Sequence, residues 1–153
     1  MNADERRSEA GFKDARLTEK VIGLFYDVYN ELGYGFLESV YRISMCMAMR
    51  QAGLNVYWEY PTPVYFRGEV VGEFKADILV NEVLLLELKS ARAIDPAHEA
   101  QLLNYLRATS IEVGLLLNFG PKPQFKRLVF SNARKKICVD PRSSAAESPD
   151  RSA

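Results

Sequence analysis

A mixed α+β domain, with one sheet flanked by helices in the order α-α-β-β-β-α-β-β, is the fold class this sequence predicts. Three observations carry it. Apolar residues recur at helical spacing up to about residue 52. From Val56 they give way to an aromatic and β-branched strand pattern, and helical spacing returns once more after Asp95-Pro96. The 153 residues suit one domain with a real core. Hydrophobic residues make up 48% and charged residues 26%, which excludes a disordered, collagenous or disulfide-scaffold protein.

Residues 1–16 carry mixed charge without apolar periodicity and are expected to form a flexible tail. Thr18 is the first capping residue ahead of Val21, Leu24, Phe25, Val28 and Leu32, so the first amphipathic helix is expected to start there and end at Gly33. After the Gly33-Tyr34-Gly35 break, a second helix is expected from Leu37 to Ala52. Val40, Tyr41, Ser44, Met47 and Ala48 mark one of its faces, and Gly53 is its stop. Strands are expected near 55–66, 70–80 and 83–89, a meander turning at Pro61-Thr62-Pro63 and Arg67-Gly68-Glu69.

Asp95-Pro96 starts a helix over 96–108, because Asp caps free backbone N–H groups and Pro suits the first turn. Two further strands, Glu112–Asn118 and Phe125–Phe130, are separated by Gly120-Pro121. The domain is thus drawn at 17–140, and the Ser-, Ala- and Pro-rich 141–153 reads as a disordered tail.

No apolar run reaches the ~18 residues that span a bilayer, and the charged start MNADERRSEA does not read as a secretory signal. A cytoplasmic protein without membrane contact is the expectation. Cys46 and Cys138 are too far apart in sequence, and too few, for a disulfide framework or thiolate zinc site, so both read as idle thiols. Lys+Arg and Asp+Glu balance at 20 each, without the global basic excess of a non-specific nucleic-acid binder. Locally, Lys122, Lys126, Arg127, Arg134, Lys135 and Lys136 lie between Pro121 and Val139 with no acid among them. That run is either a phosphate-facing edge or a strand edge guarded against aggregation.

The informative stretch is FKADILVNEVLLLELKS, Phe74 to Ser90. Leu84, Leu86 and Leu88 form one aliphatic face, while the other face ends in Glu87 and Lys89, two apart and hence on the same side. Parity decides whether Asp77 on the preceding strand can join them. A two-residue Asn81-Glu82 turn would oppose Asp77 to Leu86 and drive a carboxylate into the aliphatic core, at high cost. The odd loop Asn81-Glu82-Val83 opposes Asp77 to Glu87, and that register is predicted. Two carboxylates and a lysine so gathered suit Mg²⁺ or Mn²⁺ and metal-assisted phosphodiester hydrolysis. A structural salt bridge between neighbouring strands is the plainer alternative.

These residues carry a resemblance. Asp77 followed by Glu87-Leu88-Lys89, between a leading helix and a further helix, resembles the PD-(D/E)XK nuclease superfamily, without the Pro of that name. Gly35-Phe36-Leu37-Glu38-Ser39-Val40-Tyr41 resembles the GxxExxY signature of a small prokaryotic family placed in that superfamily, and Gln101 with Tyr105 resembles the QxxxY helix motif of RecB-type nucleases. The resemblance runs from about Leu17 to Asn132 and implies a restriction-endonuclease-like core.

It further implies a Mg²⁺- or Mn²⁺-dependent nuclease acting on DNA rather than RNA. Asp77, Glu87 and Glu38 would hold the metal, Lys89 would act on the attacking water, and Gln101 would complete the catalytic set. Tyr105 and His98 share the helix face of Gln101 and are accessory candidates. Lys122, Lys126 and Arg127 are candidate phosphate contacts, and a homodimer is expected because one active site cuts one strand. The residues also have plainer readings: Glu38 as a first-turn acid paired with Arg42, the lone His98 as a solvated or structural residue, and Tyr57, Trp58 and Tyr60 as sheet packing rather than base-stacking groups. The rival function is a non-catalytic nucleic-acid-binding or protein-assembly module on the same fold.

Overall fold

The computed structural model describes the backbone of residues 3–135 and the side chains of residues 15–135. Lys136, Cys138 and the 141–153 tail lie outside the described residues. Helix α1 (Ala3–Leu32) is followed by α2 (Glu38–Gln51), strands β1 (Val56–Phe66), β2 (Glu69–Val80) and β3 (Leu84–Lys89), helix α3 (Pro96–Ala108), and strands β4 (Val113–Phe119) and β5 (Pro123–Val129). A short 3₁₀ turn over Asn132–Arg134 closes the described chain.

The strands form one sheet in the order β1-β2-β3-β4-β5. Only β3 and β4 are parallel, as the crossover through α3 requires; the other neighbours are antiparallel. Two apolar clusters lie on its two sides. Ile78, Val80, Leu84, Leu86 and Leu88 pack with Val21, Phe25 and Val28 of α1 and Tyr41, Met45 and Met49 of α2. Leu79, Leu85 and Leu116 pack under Leu102 and Leu106 of α3. The helix lies close against β4 because Gly114 leaves room for it: a Cβ there would meet the Leu102 side chain at 3.0 Å.

Three expectations are corrected. Helix α1 begins at Ala3, not after Thr18, so the segment drawn as a tail is helical from its third residue. Ala, Glu, Arg and Lys dominate that stretch, and their helix propensity continues the helix without an apolar stripe. Thr18 is accordingly interior and buried, with a hydroxyl that caps nothing. In α2 the buried face is Tyr41, Met45, Cys46 and Met49, rotated from the expected one, and Met47 is 55% exposed. The last two strands are each displaced from their expected starts, to Val113 and Pro123.

Candidate functional site

The site is built on the turn between β2 and β3. Ile78↔Leu86, Leu79↔Leu85 and Val80↔Leu84 are paired, and the chain turns through Asn81, Glu82 and Val83. This is the odd loop, and continuing its register sets Asp77 against Glu87. Asn81 and Glu82 both take positive φ, 50° and 60°, the backbone twist such a tight connection needs. Glu87 shares the parity of Leu85, so it faces α3 and not the α1/α2 core.

Asp77 stands where the β1–β2 ladder is interrupted. Trp58 pairs with Ile78 and Tyr60 with Ala76, while Glu59, at φ 50°, is left out of the register. Ile78 belongs to the α1/α2 cluster, yet Ala76 and Phe74 join the α3 cluster. The strand therefore changes face at Asp77, as irregularities beside functional sites commonly re-aim a side chain. Asp77 uses its freedom locally: its Oδ2 accepts the Leu88 backbone N–H at 2.9 Å.

The two carboxyls act on one another electrostatically. Glu87 is only 6% exposed. Burial first, and then the charge of Asp77, push its carboxyl up to about 8, against the pull of Lys89 and of a hydrogen bond from the Asp77 backbone N–H. A buried carboxylate pair of this kind holds a proton at neutral pH unless a cation takes its place. Lys89 is half-buried at the end of the same face.

Helix α3 closes the site from above. Tyr105 stacks flat on Phe74, with ring centroids 3.8 Å apart, and accepts a hydrogen bond from Gln101 Nε2 at 2.7 Å. Its hydroxyl pKa is raised, by burial first and then by the charges of Glu87 and Asp77, which places it beside the acid pair. Gln101 itself is exposed. The structure thus brings Asp77, Glu87, Lys89, Tyr105 and Gln101 to one face of the sheet.

Other candidates lie elsewhere. His98 is a capping residue: Asp95 accepts the Ala97 N–H at 2.7 Å, and His98 Nδ1 accepts the Asp95 N–H at 3.3 Å. Glu38 is exposed in the first turn of α2. Its expected partner Arg42 instead pairs with Glu59 at 3.7 Å and lies over the Trp58 ring. In the Gly35–Tyr41 motif, Tyr41 is structural: its ring stacks on Phe119, and its hydroxyl donates to the Gly33 carbonyl at 2.6 Å.

The basic run does not form one surface. Lys126 is ion-paired with Glu99 of α3 at 2.9 Å. Its neighbour Arg127 is opposite Leu115 and so belongs to the other face, while exposed Lys122 sits in the β4–β5 turn. Lys135 is turned inward, donating to the Thr109 and Ile111 carbonyls at 2.6 and 2.8 Å, and Arg134 lies over Phe130. Tyr57 and Tyr60 meet edge to face on the half-exposed end of β1.

The donor set fits a hard divalent cation. Asp77 and Glu87 supply two carboxylates whose mutual repulsion a cation would relieve, and Mg²⁺ commonly takes one or two protein carboxylates with the rest of its shell from water or phosphate. Among the described residues no three His, Cys, Asp or Glu side chains stand close enough to hold a metal, so Glu38 is not a third ligand in this geometry. Sequence reading passed over Asp77's bond to Leu88 and the Phe74–Tyr105 stack. The Pro61-Thr62-Pro63 cluster gave no hint of the gap in pairing at Glu59, opposite Asp77.

Among the described residues no helix is long and apolar enough to cross a membrane. No curated protein shows a significant match to the chain. A solved structure titled "Crystal structure of SSO0001" superposes on 73% of this chain and 55% of its own, with 18% identity and a TM-score of 0.48. Residues 15–128, from the middle of α1 to β5, match a nuclease family as one continuous span, and that span contains the acid pair, the lysine and the helix that covers them. The chain belongs to the PD-(D/E)XK nuclease superfamily.

Proposed function

We propose that the protein is a divalent-metal-dependent nuclease that hydrolyses phosphodiester bonds, in DNA rather than RNA, on the α3 face of its sheet. The observation that carries this reading is the β2–β3 register that sets Asp77 opposite buried Glu87, with Lys89 two residues on. A bound Mg²⁺ or Mn²⁺ there would polarise a phosphoryl oxygen and acidify a water. Asp77 is held for that task by the Leu88 N–H, and Glu87 by the strand register. Lys89 orients the attacking water and offsets charge developing on the phosphoryl group. Gln101 and Tyr105 form the wall that faces substrate, their mutual hydrogen bond fixing both.

A second reading, a non-catalytic binding or assembly module, draws on two observations: zero net charge, and basic residues divided between the two faces of β5. Cytoplasmic location and action as a homodimer, which would cut both strands of a duplex, belong to the nuclease reading.

The test is cleavage of labelled single-stranded, duplex, flapped and branched DNA and RNA with Mg²⁺ or Mn²⁺, with Lys89→Ala beside the wild type. Cleavage by wild type that falls by about 10²- to 10⁴-fold in the variant supports the reading. Failure of the folded wild type both to cut any substrate and to bind Mn²⁺ favours the binding module.

A further inference from the structure

The strand that carries Lys89 ends there, and the chain beyond it is held by a residue that no motif singles out. Lys89 lies opposite Asn118 in the parallel β3–β4 pair. The Asn118 side chain is fully buried, and both ends of its amide go to one residue. Its Oδ1 accepts the Ala91 N–H at 2.9 Å, and its Nδ2 donates to the Ala91 carbonyl at 2.9 Å. From the other side Gly120 presses on the same atom: a Cβ at that position would stand 2.2 Å from the Ala91 oxygen. Gly120 is in turn anchored to α1, because the Tyr29 hydroxyl donates to the Gly120 and Pro121 carbonyls at 2.7 and 2.9 Å.

Packing alone does not call for this arrangement. Leu116, the β4 neighbour that shares its face by strand alternation, is fully buried and apolar, so burial at this end of the strand does not by itself require an amide. A buried amide satisfied on both ends does something a leucine cannot: it selects one position for the backbone it grips. That backbone is two residues past Lys89, where no β-ladder holds it. Asp77 and Glu87 are placed separately, by the β2–β3 register.

We propose that Asn118, backed by Gly120, is a positioning residue that fixes the Lys89–Ser90–Ala91 segment and so keeps the Lys89 ammonium on the face of the acid pair. The proposal rests on the hydrolytic reading of Asp77, Glu87 and Lys89. It assigns Asn118 to the chemical step and leaves metal binding to the two carboxylates.

The experiment compares wild type with Asn118→Ala, Asn118→Asp and Gly120→Ala, well below their melting temperatures. It reads kcat and KM on a cleaved DNA, Mn²⁺ affinity by titration, and amide hydrogen exchange at Ala91. For Asn118→Ala the expectation is a kcat about 10- to 100-fold lower, with Mn²⁺ affinity and KM within about twofold of wild type, and faster exchange at Ala91. Asn118→Asp keeps the acceptor for the Ala91 N–H and loses the donor, so its kcat falls between the two. Gly120→Ala crowds the same carbonyl at 2.2 Å and the Asn118 amide nitrogen at 3.0 Å, disturbing the clamp while keeping Asn118 itself, and lowers kcat in the same way. Should one variant not fold, the others carry the test.

Unchanged kcat in a folded variant whose Ala91 exchanges faster overturns the proposal. So does a parallel loss of Mn²⁺ affinity, which would indicate general loosening. If the wild type cuts nothing, the hydrolytic reading is what fails. Positioning is then decided by backbone order at Lys89 and exchange at Ala91, both altered in Asn118→Ala if Asn118 holds the segment and both unchanged if it does not.

Discussion

Strand β3 has two faces made from six consecutive residues, and they serve opposite ends. Leu84, Leu86 and Leu88 face α1 and α2 and are almost completely buried among Val, Phe, Met and Tyr side chains. Leu85, Glu87 and Lys89 face α3, and there the burial stops being apolar after one residue. The first face stabilises, each leucine by about 1.5–3 kcal/mol. The second holds a carboxyl beside another carboxyl in partial burial, which costs stability and leaves an unsatisfied demand for a cation. One strand can do both because side chains alternate, so the apolar face anchors the strand while the polar face is held rigid above it.

The largest expected effect separates the two faces by activity. Glu87→Gln removes a carboxylate from the acid pair without changing its volume, and cleavage should fall by about 10³-fold or more, on the order of 4 kcal/mol of barrier. The melting temperature should hold or rise, because an amide is buried without the proton uptake that the Glu87 carboxyl requires. Leu86→Ala, one residue away on the other face, should do the reverse: a loss of about 2–5 kcal/mol in denaturant unfolding, with the folded fraction still cutting. If Glu87→Gln melted early and Leu86→Ala did not, the division of labour along β3 would be wrong.

A pH scan of the metal-free protein sharpens the same contrast. Glu87 titrates near 4.5 when unfolded and at about 8 when folded, so between those values the folded state holds a proton that the unfolded state has released. Stability therefore falls as pH rises from about 4.5 to about 8 and stops falling above that. Lys135 acts in the opposite sense in the next window. Burial lowers its ammonium from 10.5 to about 8, so the unfolded chain binds the extra proton there and stability rises with pH. Thermal unfolding of wild type against Glu87→Gln isolates the first slope, which should vanish in the variant, and Mn²⁺ should flatten it in the wild type. Equal slopes in wild type and variant would mean that Glu87 is not held as the geometry implies.

How much of this could be read from sequence follows the same division. The alternation of Leu84 to Lys89, the odd loop and the opposition of Asp77 to Glu87 were legible, because a period of two and the cost of burying an Asp leave one register. The Asp95-Pro96 helix start was legible because the capping chemistry is local. The start of α1 was not, since propensity without periodicity leaves no apolar stripe to count. Nor were the rotated face of α2 and the division of Lys126 from Arg127, which depend on how the elements pack. Asn118 lies within an apolar run, and its importance comes from meeting Ala91, 27 residues away, which no spacing rule connects.

Helix α3 offers a finer test, since it covers the polar face of β3. Tyr105→Phe removes the acceptor for Gln101 Nε2 but keeps the ring stacked on Phe74. Stability should change by less than about 1 kcal/mol, and cleavage should fall only several-fold as Gln101 loses its fixed position. Gln101→Ala in the same background should then add little, because the two residues act as a unit. Full additivity would show that Tyr105 and Gln101 meet substrate independently.

The smallest effect belongs to His98, which shares the helix face of Gln101 and Tyr105 but ends the comparison on the structural side. Its Nδ1 accepts the Asp95 N–H in a reciprocal cap, at a distance of 3.3 Å that marks a weak bond. His98→Ala should cost about 0.5 kcal/mol, near the low end for a helix cap, and leave kcat within about twofold. The cleavage rates of wild type and variant should stay matched on every substrate tested. A large loss of kcat in His98→Ala, with the melting temperature unchanged, would move His98 from the helix start into the chemistry and extend the polar face of β3 one turn further along α3.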